Sequence, residues 1–474
     1  MSLSTKLPLA ARPTRVRYLV VAALCLISAV AYVQRNSYGG AEKKIREELN
    51  LTPGQTGGAA GLLFLPYALL QVPAGWLAQR TGPRRTIVCC AAGWSITLGM
   101  CAMAADPFSL IGGRLIVGAL QAGLLPCATL IVAAWLPASR RGAASGLLQS
   151  AMLIGGALNN NLTGALIEQL GWRGLFLLYA GPGLVWALLF AVWFRNRPAD
   201  HPGVNAAELA FIQQGQSGAQ PSAERRPVPW LILLSLPLYC VCLQQFFRAG
   251  ASRFVDTWLV TYLQEGPYLH DGKTWQIGAN VFGMLGSPMG QGPLLAVCGL
   301  SPQQMGAAAA NQLGSLPQWL GVVGSTLGGL LSDYLLKRTG SRRVARQGLA
   351  IASIVGGLAL YIFAYTLSNV TLAMIVFSLG FFVFYFSASC AFAVTLDMGG
   401  RNLGVVFGLM NMTGNFGAAA FATLAPPLNA WFHMGWTPTL ILFAAMHVAA
   451  LLFWLPLNPN GVIGERLPAP ATKE

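Results

Sequence analysis

Twelve apolar runs separated by short polar breaks divide the chain, covering 17–38, 55–78, 86–104, 108–136, 143–169, 173–194, 229–263, 304–331, 347–366, 370–396, 403–430 and 437–457. A bilayer-spanning helix needs about 20 predominantly apolar residues. The longer runs fit by tilting or protruding. The pattern predicts an all-α polytopic membrane protein with twelve transmembrane helices, numbered here as spans 1–12. Composition agrees: 55% of the 474 residues are hydrophobic, 9% are charged and the mean hydropathy is +0.56. A soluble domain carries about 25% charged residues, so a soluble enzyme and a disordered chain are excluded.

The net charge of +15 changes the picture only once it is sorted by position. In a soluble chain such an excess points to nucleic acid. Here, with the N-terminus placed inside, 21 Lys and Arg fall in inside segments, 5 in outside segments and 4 within spans. The positive-inside rule then predicts cytoplasmic termini and no nucleic-acid partner, in a monomer integral to a bacterial inner (plasma) membrane. The basic start (Lys6, Arg12, Arg15, Arg17) precedes an apolar run without a small-residue cleavage site, which reads as a retained first span. The nine cysteines show no metal-ligand spacing, and eight lie inside apolar runs, so neither a metal, a cofactor nor a disulfide framework is expected.

The polar break at 195–228 reads as a cytoplasmic loop between a six-helix bundle at 1–194 and a second at 229–474. Arg80-Thr-Gly82-Pro-Arg84-Arg85 returns as Arg338-Thr-Gly340-Ser-Arg342-Arg343, in each case after a Gly-rich span. Parallel repeats of this kind build transporters whose halves rock around a midplane site. Residues 264–303 break the symmetry as an extracytoplasmic insertion, which either packs over the outer face or takes no part.

Ionisable residues inside spans cost about 3 kcal/mol on insertion scales and are functional candidates. Arg35 in span 1 carries a fixed charge and five donors suited to a carboxylate or phosphate; the alternative is that it snorkels to the interface. Tyr32 shares its face, and Tyr67 adds a phenol in span 2. Arg114 and Gln121 in span 4 are seven apart and face one side, as a substrate contact or a structural polar cluster. In span 7, Arg253 and Asp256 share a face, either as a titrating pair or as a static ion pair, with Arg248 five residues earlier. No nucleophile–base constellation accompanies them, so an enzyme is not expected.

The loop Gly75-Trp-Leu-Ala-Gln79-Arg80-Thr-Gly82-Pro-Arg84-Arg85 resembles the signature between spans 2 and 3 of the major facilitator superfamily. Its counterpart Gly329-Leu-Leu-Ser-Asp333 keeps the acidic residue that Gln79 replaces. Other stretches resemble the anion:cation symporters of sugar acids and organic anions: Tyr32-x-x-Arg35, Leu65-Pro-Tyr67-Ala, Trp135-Leu-Pro137, Gly171-Trp-Arg173, His201-Pro-Gly203 with Glu208, Thr257-Trp258, and Gly408 with Asn411, Gly414 and Asn415. The resemblance implies that Arg35 meets a substrate carboxylate while Tyr32, Tyr67 and Asn411 serve its hydroxyls. Gln149 and Ser387 are further substrate candidates.

Proton-coupled members of that family carry acidic residues where this chain has Gln34 and Gln121, and an amide cannot take up a proton. The function expected is alternating-access transport of a small organic anion, a sugar acid or other hydroxylated carboxylate, with proton coupling in doubt. The partners are the lipid bilayer, the anion and either a coupling proton or a counter-anion. The alternatives are an inorganic-anion transporter, an anion exchanger, and a transporter-shaped anion sensor without flux.

Overall fold

The computed structural model describes residues 12–51, 55, 62–213, 232–233, 235–259, 262–263, 302–367, 370–432 and 436–463. All regular secondary structure among them is helical. Span 1 is Val16–Glu48 and span 3 is Pro83–Cys101. Span 2 breaks at Leu70 into Phe64–Leu69 and Gln71–Thr81, and span 4 breaks at Ala122–Gly123 into Pro107–Gln121 and Leu124–Trp135. Spans 5 and 6 run through Arg141–Trp193 with a turn at Gly171, whose φ of 63° glycine adopts without the steric cost of a Cβ.

In the second half, span 7 is Leu236–Arg253 continued by a π-turn at Phe254–Trp258. Span 8 is Pro302–Thr339, and span 9 a π-turn at Arg343–Gly348 followed by Leu349–Thr366. Spans 10, 11 and 12 are Val370–Met398, Leu403–Phe432 and Thr437–Trp454. Each predicted run therefore contains helix. Seven helical segments among the described residues, in spans 1, 4, 6, 8, 9, 10 and 12, are long and apolar enough to cross a bilayer by themselves. The helix starts are chemically explicit. Asp106 caps span 4, its Oδ1 accepting from Phe108 N at 2.8 Å and Ser109 N at 2.9 Å, with Pro107 in the first turn.

The helices form two six-helix bundles. In the first, span 1 packs on the 5–6 unit and span 3 on spans 4 and 6; in the second, span 7 packs on spans 11 and 12, and span 10 sits between 8 and 9. The bundles meet where span 2 crosses span 11 and span 5 crosses span 8. Glycines bring the backbones together at both crossings. A Cβ at Gly75 would overlap the Gly404 carbonyl, and one at Gly329 would overlap that of Gly142.

The ends of the spans that carry Arg17, Arg84, Arg141 and Arg195 gather on one side, called here the basic face. Part of the 195–228 connection lies there, as the helix Ala206–Gln213. Its Glu208 is buried and accepts from Thr14 Oγ1, Val16 N, Arg17 N and Arg17 Nη1, satisfying the open donors at the start of span 1. Residues 214–228 and all but the last two residues of the 264–303 segment lie outside the described residues.

Candidate functional site

Arg35 is buried, with 5% of its surface exposed, and does not reach out to an interface. Its Nε donates to Gln121 Oε1 at 2.9 Å, and Gln121 Nε2 donates to the Ala31 carbonyl at 3.2 Å. The guanidinium carbon lies 4.0 Å from the Tyr67 ring centroid and 4.7 Å from that of Tyr32, the geometry of cation–π contact. Arg35 makes no ion pair with a carboxylate among the described residues, and its buried Nη2 has no acceptor. Gln149 Nε2 on span 5 and Gln71 Nε2 on span 2 are also buried donors without acceptors. A fixed cation flanked by aromatic rings, with N–H donors left over and no built-in counter-charge, is chemically suited to an acceptor-rich anion.

The other predicted residues divide by what holds them. Gln121 stands beside Arg35, but Gln34 turns away into the first bundle. Its Nε2 donates to Ser95 Oγ at 3.2 Å and the Tyr179 carbonyl at 2.7 Å, and its Oε1 accepts from Trp94 Nε1 at 2.6 Å. Arg114 packs over Tyr38 at 4.6 Å, so the shared face of span 4 addresses span 1 at both levels. Asn411 reaches across the bundle interface, its Nδ2 donating to Gln71 Oε1 at 2.7 Å. Ser387 is spent within its own helix on the Phe384 carbonyl at 2.7 Å. The Arg253 guanidinium stands 6.0 Å from the Phe64 ring, and the Asp256 side chain lies outside the described residues.

A second buried polar cluster links the two bundles at the basic face. Asp333 Oδ1 accepts from Gly142 N at 3.0 Å and Asp333 Oδ2 from Ala143 N at 2.7 Å, at the open N-terminus of span 5. Arg346 Nη1 lies 3.0 Å from Asp333 Oδ1 and its Nε 3.2 Å from Asp397 Oδ2, while Arg141 Nη1 lies 3.4 Å from Asp397 Oδ1. Arg346 Nη2 also donates to the Ala138 carbonyl at 3.1 Å. Gln79 occupies the corresponding place on span 2, against Gly404 at the start of span 11. Near it, Arg80 packs over Trp76 at 5.1 Å, Gly82 turns the chain at φ 92°, Arg84 bonds Asn196 and the Ala191 carbonyl, and Arg85 is exposed.

Sequence reasoning missed Gln71 and the Arg346–Asp397–Arg141 network. An amide inside an apolar run was the available signal for Gln71. Arg346 and Asp397 sit at the margins of runs, where charges are ordinary. Among the described residues outside the spans, His201 is wedged edge-on to Trp135 and Trp193 at ring separations of 5.6 and 5.2 Å. Burial and the nearby Arg195 lower its pKa below the ordinary histidine value.

Two helical bundles meeting across polar side chains, with a paired-charge seal at one face, define a membrane carrier of the rocking-bundle class. The chain belongs to the Major Facilitator Superfamily, which it matches over residues 24–422. It is 28% identical to a probable sulfoacetate transporter of Cupriavidus necator, with 86% of each chain covered. It is 26% identical to a probable galactarate/D-glucarate transporter of Bacillus subtilis, covering 94% of this chain and 93% of that one. Among solved structures, a proton:xylose symporter superposes with a TM-score of 0.67 at 13% identity, covering 94% of this chain and 97% of that one. The Escherichia coli fucose:proton symporter gives 0.65 at 14%, covering 94% and 100%.

Proposed function

We propose that the protein transports a small organic anion, a hydroxylated sugar acid or a sulfonated acid, across a bacterial inner membrane by alternating access. The observation that carries this reading is Arg35: a buried cation between two phenol-bearing rings, with an unpartnered Nη2 and no described carboxylate beside it. The substrates named for the relatives are small organic anions, galactarate and D-glucarate hydroxylated and sulfoacetate sulfonated. Arg35 binds the anionic group, while Tyr32, Tyr67, Gln149, Gln71 and Asn411 grade the rest of the molecule. Bundles at 1–194 and 229–474 rock about the 195–228 loop, with the basic face on the cytoplasmic side and sealed in this state by Asp333, Arg346, Asp397 and Arg141.

Gln121 supports a mode of coupling other than proton symport through this pair. Its carbonyl oxygen orients Arg35 without neutralising it, so anion binding there releases no proton. Entry of each negative charge is opposed by about 2.3 kcal/mol per 100 mV of inside-negative potential. Exchange for an internal anion avoids that cost, and we favour exchange.

The test is uptake of radiolabelled galactarate, galactonate and sulfoacetate into liposomes holding the purified protein, with and without a pH gradient or internal counter-anion. Arg35→Ala should lower uptake at least about 100-fold, the scale expected when one partner of a buried charged contact is removed. Counter-anion dependence without gradient-driven accumulation is the expected pattern. Flux that ignores Arg35 would sink the assignment of the site.

A further inference from the structure

Arg35 has a counterpart that the reading above does not use. Arg248 lies in span 7, the first span of the second bundle as span 1 is of the first, and only 7% of its surface is exposed. Its Nε donates to Gln245 Oε1 at 3.0 Å, just as Arg35 Nε donates to Gln121 Oε1 at 2.9 Å. In both cases a neutral amide oxygen occupies the Nε side and leaves the charge intact. The two terminal nitrogens are the edge that grips a carboxylate or sulfonate in bidentate fashion. Arg248, like Arg35, makes no ion pair with a carboxylate among the described residues.

The two arginines stand on either side of one bundle interface. Tyr67, over Arg35, is one turn from Gln71 on span 2; Gln71 Oε1 receives Asn411 Nδ2 from span 11 at 2.7 Å. One turn further along span 11, Asn415 Nδ2 bonds back to the Asn411 carbonyl at 2.8 Å, and Gly414 lies against the Gln245 side chain. Gln245 in turn holds Arg248. Every side chain named on this path is neutral. Two buried amide donors without acceptors, Gln71 Nε2 and Gln149 Nε2, belong to the same interface. Gln149 shares a helix face with Gly146, which abuts Ser325 of span 8, and with Leu153, which packs on the second bundle's apolar cluster.

We propose that Arg248 is the second anion subsite and that the protein selects dianions, one anionic group held by Arg35 of the first bundle and the other by Arg248 of the second. This rests on the transport reading above and narrows its substrate class. A monoanion leaves one buried cation uncompensated in a low-dielectric interior, whereas a dianion neutralises both and ties the two bundles together.

The experiment compares radiolabelled galactarate with galactonate, which share a carbon chain and differ by one carboxylate, in wild type, Arg35→Gln, Arg248→Gln and Arg248→Lys. The expected result is a wild-type preference for galactarate of about tenfold or more in KM, abolished by Arg248→Gln with galactonate uptake little changed, and partly restored by Arg248→Lys. Arg35→Gln should remove uptake of both. Equal losses for the two probes in Arg248→Gln, or a wild type without preference, would overturn the dianion assignment while leaving the transport reading intact. Failure of both probes to show Arg35-dependent binding or uptake would overturn the transport reading and this inference with it. Thermal unfolding of each variant separates a loss of folding from a loss of the subsite.

Discussion

Buried arginines occur at two levels of this protein, and they are treated in opposite ways. At the basic face Arg346 is fully buried yet lies 3.0 Å from Asp333 and 3.2 Å from Asp397, with Arg141 completing the network. At the centre, Arg35 is held by an amide and two aromatic rings, without a carboxylate among the described residues. Paired charges in a low-dielectric interior are self-sufficient and lock the elements that carry them. A charge given only neutral neighbours remains available to something that arrives. On the reading proposed above, the same side chain is a bolt in one place and a receptor in the other, and its partners make the difference.

Substitution of each arginine should break this contrast most sharply. Arg346→Gln leaves two buried aspartates without their shared cation, and should cost about 3–5 kcal/mol of stability, read by thermal unfolding. Arg35→Leu removes a charge that nothing described compensates, so the fold should hold within about 1 kcal/mol or gain while uptake is lost. Comparable destabilisation by both would mean that Arg35 is structural.

Converting the central site to the logic of the seal is the next largest effect. Gln121→Glu sets a carboxylate against Arg35, and it must take up a proton to release the cation. Uptake at neutral pH should fall about tenfold and recover as the pH is lowered, a dependence the wild type should lack in the same assay. A pH profile unchanged from wild type would show that Arg35 has a partner other than position 121.

Gln79→Asp tests the seal from the other bundle. Asp333 faces two backbone N–H groups at the start of span 5, and Gln79 faces the start of span 11 without a charge. An aspartate there should add about 0.3–1 kcal/mol to the closed basic face through the helix terminus. Reduced labelling of an engineered cysteine on that face would register it.

The smallest effect concerns His201, whose folded pKa lies below the ordinary histidine value. In the unfolded chain this histidine takes up its proton at about pH 6.5, and in the folded protein only at lower pH. The stability tied to its neutral form is thus present above about pH 6.5 and declines as the pH falls below it. A His201→Phe variant should show a flatter stability–pH curve through that range.

The sequence by itself determined the class of fold. Twelve apolar runs, a basic bias in the breaks and the repeated Arg-Thr-Gly loop are properties of composition and order, since lipid demands internally satisfied helices whatever their neighbours. It also marked Arg35, Tyr32 and Tyr67, because a charge within an apolar run is costly enough to stand out and residues three apart share a helix face. Tertiary structure alone decided which amide served which role. Gln34 and Gln121 look equivalent as sequence, yet one is locked among Trp94, Ser95 and Tyr179 while the other grips Arg35. Likewise, Gln71 became a bridge to Asn411, and Ser387 was consumed by its own helix. Partners of that kind lie 51 residues apart for Arg346 and Asp397 and 340 apart for Gln71 and Asn411. No local pattern specifies such a distance, because it is set by how twelve helices rotate and cross when their apolar faces pack.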